Sequence, residues 1–457
     1  MNGYDAIIIG FGKGGKTLAG DLAAAGKRVA LVEQSDKMYG GTCINIGCIP
    51  SKSLKTSAEK SAILGGSFEE KAIRYRLAVA ERERVTSMLR DKNYHRLVDH
   101  PLIDVINGCA VFTGMNSVLV NFYDGSLKEL HAALIFINTG SIPRLPSIVG
   151  AGDSRYVYNS ETLMKRPELP KRLVVIGGGY IGMEFASMYA NFGAAVTVLQ
   201  DGERFLPRED EEISAEVLKR LKEMGVDVRF SAKTRAITDK NGFTALSVET
   251  PEGMRAWEAE AVLLATGRIP NTAALHLEAA GVNVTEHGGV KTDEHLCTSN
   301  PAIYAMGDVI GGLQFTYISL DDYRIVKSAV LSDGSRTTKN RGAVPYSVFL
   351  DPPFSRVGLS EKEAREQGYE AAIVRLSAAA IPKAQVTGDT SGLLKAVIDK
   401  TNGRILGAHL FCAESHEIIN IIKMAMDAGL PYTSLRDGIF THPTMAESLN
   451  DLFATFT

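Results

Sequence analysis

Cys43 and Cys48 carry the clearest chemical potential in this sequence. Four residues separate them in the stretch Gly-Gly-Thr-Cys-Ile-Asn-Ile-Gly-Cys-Ile-Pro-Ser-Lys, residues 40–52, of a chain with 5 cysteines. On a straight helix, positions i and i+5 lie about 140° apart around the axis with Cα atoms roughly 8.5 Å apart. A disulfide needs about 4.4–6.8 Å. Pairing therefore requires a bent backbone, and Gly41 and Gly47 are where it bends most easily. Pro50 suits the first turn of a helix that starts after the bend. A thiol at a helix N-terminus is favoured as thiolate and is reactive. The alternative is a pair of unreactive core cysteines, which the flanking glycines, Pro50 and Lys52 disfavour. Cys109, Cys297 and Cys412 lie in apolar sequence and read as inert fillers.

A second reactive position is His442, in Phe-Thr-His-Pro-Thr-Met-Ala-Glu, residues 440–447. Pro443 fixes the turn, and Glu447 is placed to orient the imidazole for acid–base work.

Glycine turns come next. Gly10-Phe-Gly12-Lys-Gly-Gly15 follows a buried strand, residues 4–9, and opens a helical run, residues 16–25; the next strand, from Val29, ends at Glu33. This is a dinucleotide fingerprint: Gly10 for the tight turn, Gly12 for close approach to a pyrophosphate, Gly15 for helix–strand packing, and Glu33 for an adenosine ribose. The phosphates belong on the helix N-terminus. Lys13 and Lys16 read as solvated. A second fingerprint, Gly177-Gly-Gly179-Tyr-Ile-Gly182, follows the strand from Leu173 and precedes a helix to Phe192 and a strand over 196–199. Here the position matching Glu33 is Gln200. A carboxylate there would bond a ribose 2′-hydroxyl and repel a 2′-phosphate; Gln200 does neither strongly, so both NADH and NADPH are expected to serve. Arg204 and Arg208 are candidates to meet a 2′-phosphate. A later strand-to-glycine turn, Ile303 to Asp308, puts Asp308 beside a ribityl chain, and a helix from Thr316 points its N-terminus at an isoalloxazine carbonyl. Thr42, Gly140 and Gly267 complete the cofactor-binding set.

These groups need several domains to hold them, since 457 residues exceed a single core. Residues 55–100 read as two solvated helices, and strands are expected at 103–106, 110–112, 118–122 and 134–137. The block from about Arg341 reads as α+β, with strands near 345–350, 372–376, 393–398 and 405–412 and helices at 361–367 and 415–428. Its run Ile418-Ile-Asn-Ile-Ile-Lys-Met-Ala-Met is an apolar helix that needs covering. The apolar fraction of 45% and net charge of -3 match a soluble protein with no call for nucleic acid. No apolar run approaches a membrane span. The segment from Met1 to Gly12 lacks the features of a signal peptide, so the expected compartment is cytoplasmic, where a paired thiol is catalytic more often than static.

Together these segments resemble the class I pyridine nucleotide–disulfide oxidoreductases, which include glutathione reductase, dihydrolipoamide dehydrogenase and mercuric reductase. The resemblance runs from residue 4 to 453. It implies an α/β fold with two Rossmann-like dinucleotide-binding domains plus a C-terminal α+β dimerisation domain: FAD on 1–146 and 268–337, NAD(P) on 147–267, and an interface domain over 338–457 that builds a homodimer. It implies FAD and NADPH or NADH as cofactors and a redox-active Cys43–Cys48 disulfide. Cys43 would face substrate and Cys48 the flavin, Lys52 and Glu184 would pair beside flavin N5, and His442 with Glu447 would serve the opposite subunit's site. No metal ligand set is implied.

The stretches 11–19 and 311–326 and the ending from His442 to Phe453 resemble a bacterial subfamily of reactive chlorine resistance flavoproteins, associated with hypothiocyanous acid and Cu(II) reduction. The expected activity is reduction of a small-molecule oxidant. Dihydrolipoamide dehydrogenase, a mercuric reductase-like enzyme and a flavin redox sensor remain as alternatives. The first fingerprint helix lacks an arginine for a glutathione carboxylate, no metal-binding extension precedes Tyr4, and the chain reaches Thr457 without a C-terminal cysteine pair. Tyr317 and Tyr323 stand where relatives carry small residues.

Overall fold

The computed structural model describes residues 3–456; Met1, Asn2 and Thr457, on which the readings of the two chain ends partly rest, lie outside them. The chain forms two compact units, one from the chain up to Leu54, Leu77–Arg144 and Gly267–Arg341, the other from Lys55–Arg76, Leu145–Thr266 and the chain from Gly342.

The first unit is built on a seven-stranded sheet. Strands Ile103–Asn107, Val29–Glu33 and Tyr4–Ile9 run parallel and in that order, and Leu127–Ile137 pairs parallel to Tyr4–Ile9. That last strand is 11 residues long. Its end also takes Ile303–Ala305, while its start pairs antiparallel with Ser117–Asn121. The helix Lys13–Ala24 connects the first two strands and packs by Leu18 and Leu22 against Ile325 and Val326 of the helix Thr316–Leu331. This is one doubly wound nucleotide fold, whose ligand edge lies at the carboxyl ends of the parallel strands.

The second unit repeats that logic. Strands Asp227–Arg229, Ala195–Leu199, Arg172–Ile176, Ala261–Leu264 and Val157–Tyr158 form a parallel sheet in that order. Lys233–Asp239, Thr244–Thr250 and Gly253–Ala259 form an antiparallel meander, whose third strand the sequence pattern does not announce. The C-terminal block is a five-stranded antiparallel sheet in the order Tyr346–Val348, Phe354–Gly358, Ile405–Phe411, Leu393–Asp399, Ala371–Ser377. The helix Ser415–Asp427 lays Ile418, Ile419, Ile422 and Ala425 onto this sheet. The cover this helix needs is therefore supplied by the chain itself, and of that apolar run Met424 is the large side chain left outside, 70% exposed.

A buried ionic cluster joins the segment after Gln200 to the C-terminal sheet. Lys395 meets Asp210 at 2.8 Å and Glu361 at 2.9 Å. Arg356 donates to the Arg208 carbonyl at 2.7 Å and pairs with Glu209 at 3.5 Å. Among the described residues no helix is long and apolar enough to cross a membrane.

Candidate active site

The thiol segment folds as two helices meeting at a break. Gly40 and Gly41 adopt φ of +96° and +78°, which glycine reaches without strain. A Cβ on Gly41 would stand 2.7 Å from the Gly12 Cα, so this loop is pressed onto the first glycine turn. The helix Thr42–Asn45 carries Cys43, and Cys48 opens the helix Cys48–Leu64, with Pro50 in its first turn. A Cβ on Gly47 would lie 3.0 Å from the Thr42 carbonyl. The expected bend is thus made at the expected glycines.

No disulfide joins the two cysteines here; a side-chain hydrogen bond does. Thr316, first residue of the helix Thr316–Leu331, places its hydroxyl 3.5 Å from the Cys48 sulfur and bonds Cys43 as well. The Cys48 hydrogen bond, then burial, then the charge on Cys48 push the Cys43 thiol up, while Thr316 and the Lys16 ammonium pull it down. The general expectation of a favoured thiolate does not hold at Cys43, because the Cys48 hydrogen bond and burial outweigh Thr316 and Lys16. With the two sulfurs hydrogen-bonded, charge on Cys48 holds Cys43 as thiol. Tyr317 stacks on Phe315 with centroids 5.2 Å apart, and burial, then the charge of Cys48, push its phenol up. Tyr323 does something different: its hydroxyl bonds Asp21 on the helix Lys13–Ala24.

Around the first glycine turn, Gly10 adopts φ +103°, and a Cβ there would lie 2.3 Å from the Asn138 carbonyl. The buried Glu33 carboxylate accepts the Phe11 N–H at 2.9 Å and the Ser35 N–H at 3.2 Å. Burial pushes it up and these N–H groups pull it down. Gly15 is close-packed as expected, a Cβ meeting the Gly10 carbonyl at 2.7 Å, and its N–H bonds Asn138 at 2.9 Å. Ser319 accepts the Gly14 N–H at 3.1 Å. A Cβ on Gly140 would stand 3.9 Å from the Thr42 hydroxyl oxygen, so these two face each other. Asp308 accepts from the Ser141 hydroxyl at 2.8 Å; Arg268 donates to the same oxygen at 2.8 Å. Burial pushes the Asp308 carboxyl up. Gly267 adopts φ +100° and its carbonyl accepts the Arg144 N–H. The Gly12 cap has no side-chain hydrogen bond, and the acid at the strand end faces the turn; these residues fit a dinucleotide with its phosphates on the helix. No sequence motif marks Asn138, Ser141, Ser319 or Arg268; the one signal is a polar residue at each end of Thr139-Gly140. Lys16 corrects the solvated reading: it is half-buried, bonded to Asn93, and burial, then Lys13, push it down to about 8.

In the second turn Gly177 adopts φ +110°, and a Cβ on Gly182 would lie 2.1 Å from the Gly177 carbonyl. Nothing stands within 4 Å of a Cβ on Gly179, which leaves room for a phosphate. The Gln200 oxygen accepts the Gly178 N–H at 2.7 Å. Arg204 pairs with Glu211 at 2.8 Å. Tyr180 bonds the buried Glu209, which also accepts from Tyr346 at 2.8 Å; burial, then the Glu209 charge, push the Tyr180 phenol up to about 12.

His442 Nδ1 lies 2.8 Å from Glu447 Oε2, and Thr444 donates its N–H to the other carboxylate oxygen at 3.2 Å. The ring is mostly exposed, its side chain 70% accessible. Lys52 lies in the first unit, its ammonium 3.3 Å from the Ser51 hydroxyl; Glu184 lies in the second and accepts the Phe349 N–H at 2.8 Å. Among the described residues no three His, Cys, Asp or Glu are grouped to hold a metal.

The family model for pyridine nucleotide-disulphide oxidoreductases matches residues 4–322, and that for their dimerisation domain matches residues 344–453. The chain is 51% identical over 454 residues to the pyridine nucleotide-disulfide oxidoreductase RclA of Escherichia coli, covering 99% of each. It is 33% identical to a mercuric reductase of Bacillus cereus over 99% of this chain and 71% of that one. It is 32% identical to a dihydrolipoyl dehydrogenase of Mycobacterium tuberculosis over 99% of this chain and 98% of that one. The solved Cu(II) complex of the HOCl-induced flavoprotein disulfide reductase RclA from Escherichia coli superposes with a TM-score of 0.94 at 50% identity, covering 100% of each chain. The chain therefore belongs to the pyridine nucleotide-disulphide oxidoreductase family, and is an α/β oxidoreductase acting on disulfide groups with a flavin and a pyridine nucleotide as its redox groups.

Proposed function

We propose that this enzyme uses NADH or NADPH, FAD and the Cys43–Cys48 couple to reduce a small oxidant of the hypothiocyanous acid or Cu(II) class. In this reading FAD is held by 1–146 and 268–337, the nicotinamide dinucleotide by 147–267, and 338–457 pairs two copies. Bound flavin supplies two-electron transfer from the nicotinamide to the disulfide. Gly12, Glu33, Thr42, Gly140 and Asp308 hold that cofactor; Lys52 and Glu184 pair beside its N5. Gly177, Gly179, Gly182 and Gln200 hold the nicotinamide dinucleotide. A cytoplasmic site of action fits the dependence on reduced nicotinamide.

The chain's own residues then carry the oxidant step. Cys43, relieved of its proton through Cys48, attacks as thiolate. With hypothiocyanous acid it takes the sulfur, and hydroxide leaves and becomes water with a proton from the partner subunit's His442, oriented by Glu447. The same imidazole, now without its proton, takes the one on Cys48, whose thiolate attacks the Cys43 sulfur; thiocyanate leaves and the disulfide is closed, two electrons having passed to the oxidant. With Cu(II), two ions each take one electron as the dithiol becomes disulfide.

The observation that carries this reading is the Cys43–Cys48–Thr316 cluster, set against the first glycine turn in one unit. The HOCl-induced, Cu(II)-bound relative supports the substrate class. Dihydrolipoamide chemistry is disfavoured by Gln200 in place of an acid, and a sensor has no use for the second glycine turn. Purified flavin-loaded enzyme is to be mixed with NADH or NADPH and hypothiocyanite, Cu(II), Hg(II) or lipoamide, following nicotinamide absorbance. Rapid turnover with the first two is expected; turnover with lipoamide alone would move the assignment to dihydrolipoamide dehydrogenase.

A further inference from the structure

Lys16 occupies a place that the steps above do not use. It lies in the first turn of the helix Lys13–Ala24, and its ammonium is bonded to the Asn93 side-chain oxygen. Asn93 itself lies against the thiol loop: a Cβ on Gly40 would stand 3.4 Å from the Asn93 Cγ. One turn earlier on the same helix, Phe68–Val98, Arg90 donates to the Asn45 side chain at 3.3 Å. Gly41, pressed onto Gly12, brings the loop to the start of the helix that carries Lys16. The ammonium is thereby held beside Gly40–Asn45, and its charge and that of Cys43 act on each other.

Among the described residues Asn93 is the Lys16 ammonium's one hydrogen-bond partner and no carboxylate pairs with it, although an ammonium has three donors. Lys13 and Arg96 add further positive charge. Pushed down only to about 8, the amine stays mainly protonated at neutral pH. A half-buried cation that no carboxylate side chain pairs, held against the thiol loop, attracts an anion more strongly than a solvated lysine does.

We propose that Lys16 is the anion-recognising group of the thiol site, receiving the negative charge of a small inorganic oxidant, the conjugate base of a weak acid, and setting it against Cys43. This rests on Cys43 being the substrate-facing thiol. A bulky neutral disulfide gains nothing from it, so Lys16 separates small anionic oxidants from the substrates of dithiol enzymes that lack such a cation.

The test reads charge at Cys43 without turnover. In the flavin-loaded Cys48→Ser variant, Cys43 is alkylated with anionic iodoacetate or neutral iodoacetamide, and the Cys43 peptide is followed by mass spectrometry. Adding Lys16→Met is expected to lower the iodoacetate-to-iodoacetamide rate ratio about fivefold or more, and Lys16→Arg to restore it. An unchanged ratio in Lys16→Met overturns the proposal. If Lys16→Met does not fold, the parent is compared between about 10 and about 300 mM NaCl: salt must slow iodoacetate selectively, and an equal response of both reagents overturns the proposal. Absence of hypothiocyanite turnover by the wild-type enzyme would count against the functional reading alone, since the ratio still decides the role of Lys16.

Discussion

Gln200 accepts the backbone N–H of Gly178 at 2.7 Å, just as Glu33 accepts that of Phe11 at 2.9 Å. Both are the residue at the end of the second parallel strand, bonded to the second residue of a glycine turn. The amide thus stands where the first fold has a carboxylate, without the charge that repels a 2′-phosphate. Gln200→Glu is expected to lower kcat/KM for NADPH about tenfold relative to NADH, a difference of about 1.4 kcal/mol. An unchanged coenzyme ratio would mean that Gln200 is not at the ribose.

The hydrogen-bonded thiols make a division of labour testable. Cys43→Ser is expected to abolish oxidant reduction while NAD(P)H still bleaches the bound flavin, because the nicotinamide half-reaction precedes the thiols. Cys48→Ser is expected to stall after one oxidant equivalent, with the adduct on Cys43 visible by mass spectrometry. Near-normal turnover by both variants would show that electrons leave without the thiols.

Thr316 bonds both sulfurs through one hydroxyl. Thr316→Val removes the hydroxyl that pulls the Cys43 thiol down and is expected to raise the pH midpoint of Cys43 alkylation in the Cys48→Ser background. Thr316→Ser is expected to restore it.

If His442 serves the opposite subunit, Cys43→Ser and His442→Ala chains, each inactive alone, are expected to regain activity when refolded together, since one of the two sites in a mixed dimer is then intact. Inactive mixed dimers, verified by mass, would place His442 with its own thiols. Glu447→Gln is expected to weaken but not abolish turnover, as it leaves the ring in place without its anionic partner.

His409 gives a pH signature of stability. Buried on the strand Ile405–Phe411, its ring is pushed down to about 4 by burial, then by Arg356; Asp210 and the Leu359 carbonyl act the other way, and Lys395 adds to Arg356. The unfolded chain takes up this proton near pH 6.5, the folded chain only near 4. Stability is therefore full above about pH 6.5 and falls as pH drops towards 4, by about 3 kcal/mol for this group. Urea midpoints at pH 7 and pH 5 are expected to differ less in His409→Leu than in the wild type.

The parts of the site legible in the sequence are local. Gly10, Gly177 and the Gly41–Gly47 bend are fixed by turn geometry within a few residues, as is the His442–Glu447 contact. What escaped depends on distant segments. Asn138 and Ser319 matter because they take the N–H groups of Gly15 and Gly14 across the sheet. Lys16 looks solvated until the helix Phe68–Val98 is laid beside it. The strand Gly253–Ala259 is largely exposed and shows no inside–outside alternation, so no periodicity marks it. The helix at Ile418 reads as lacking cover because its cover is a sheet whose strands are scattered from Tyr346 to Phe411.

The cluster of Lys395, Arg356 and Tyr346 about Glu209 and Asp210 limits how this chain can be rearranged. The matched family regions break between residues 322 and 344, which invites treating the nucleotide fold as a transferable cassette. Yet the loop that follows Gln200 ends in two buried carboxylates whose cations come from the C-terminal sheet. Transplanting the cassette without those cations leaves charges unmatched, at about 3–5 kcal/mol for each broken buried pair. The second nucleotide fold and the C-terminal sheet have thus to be inherited, or redesigned, as one block.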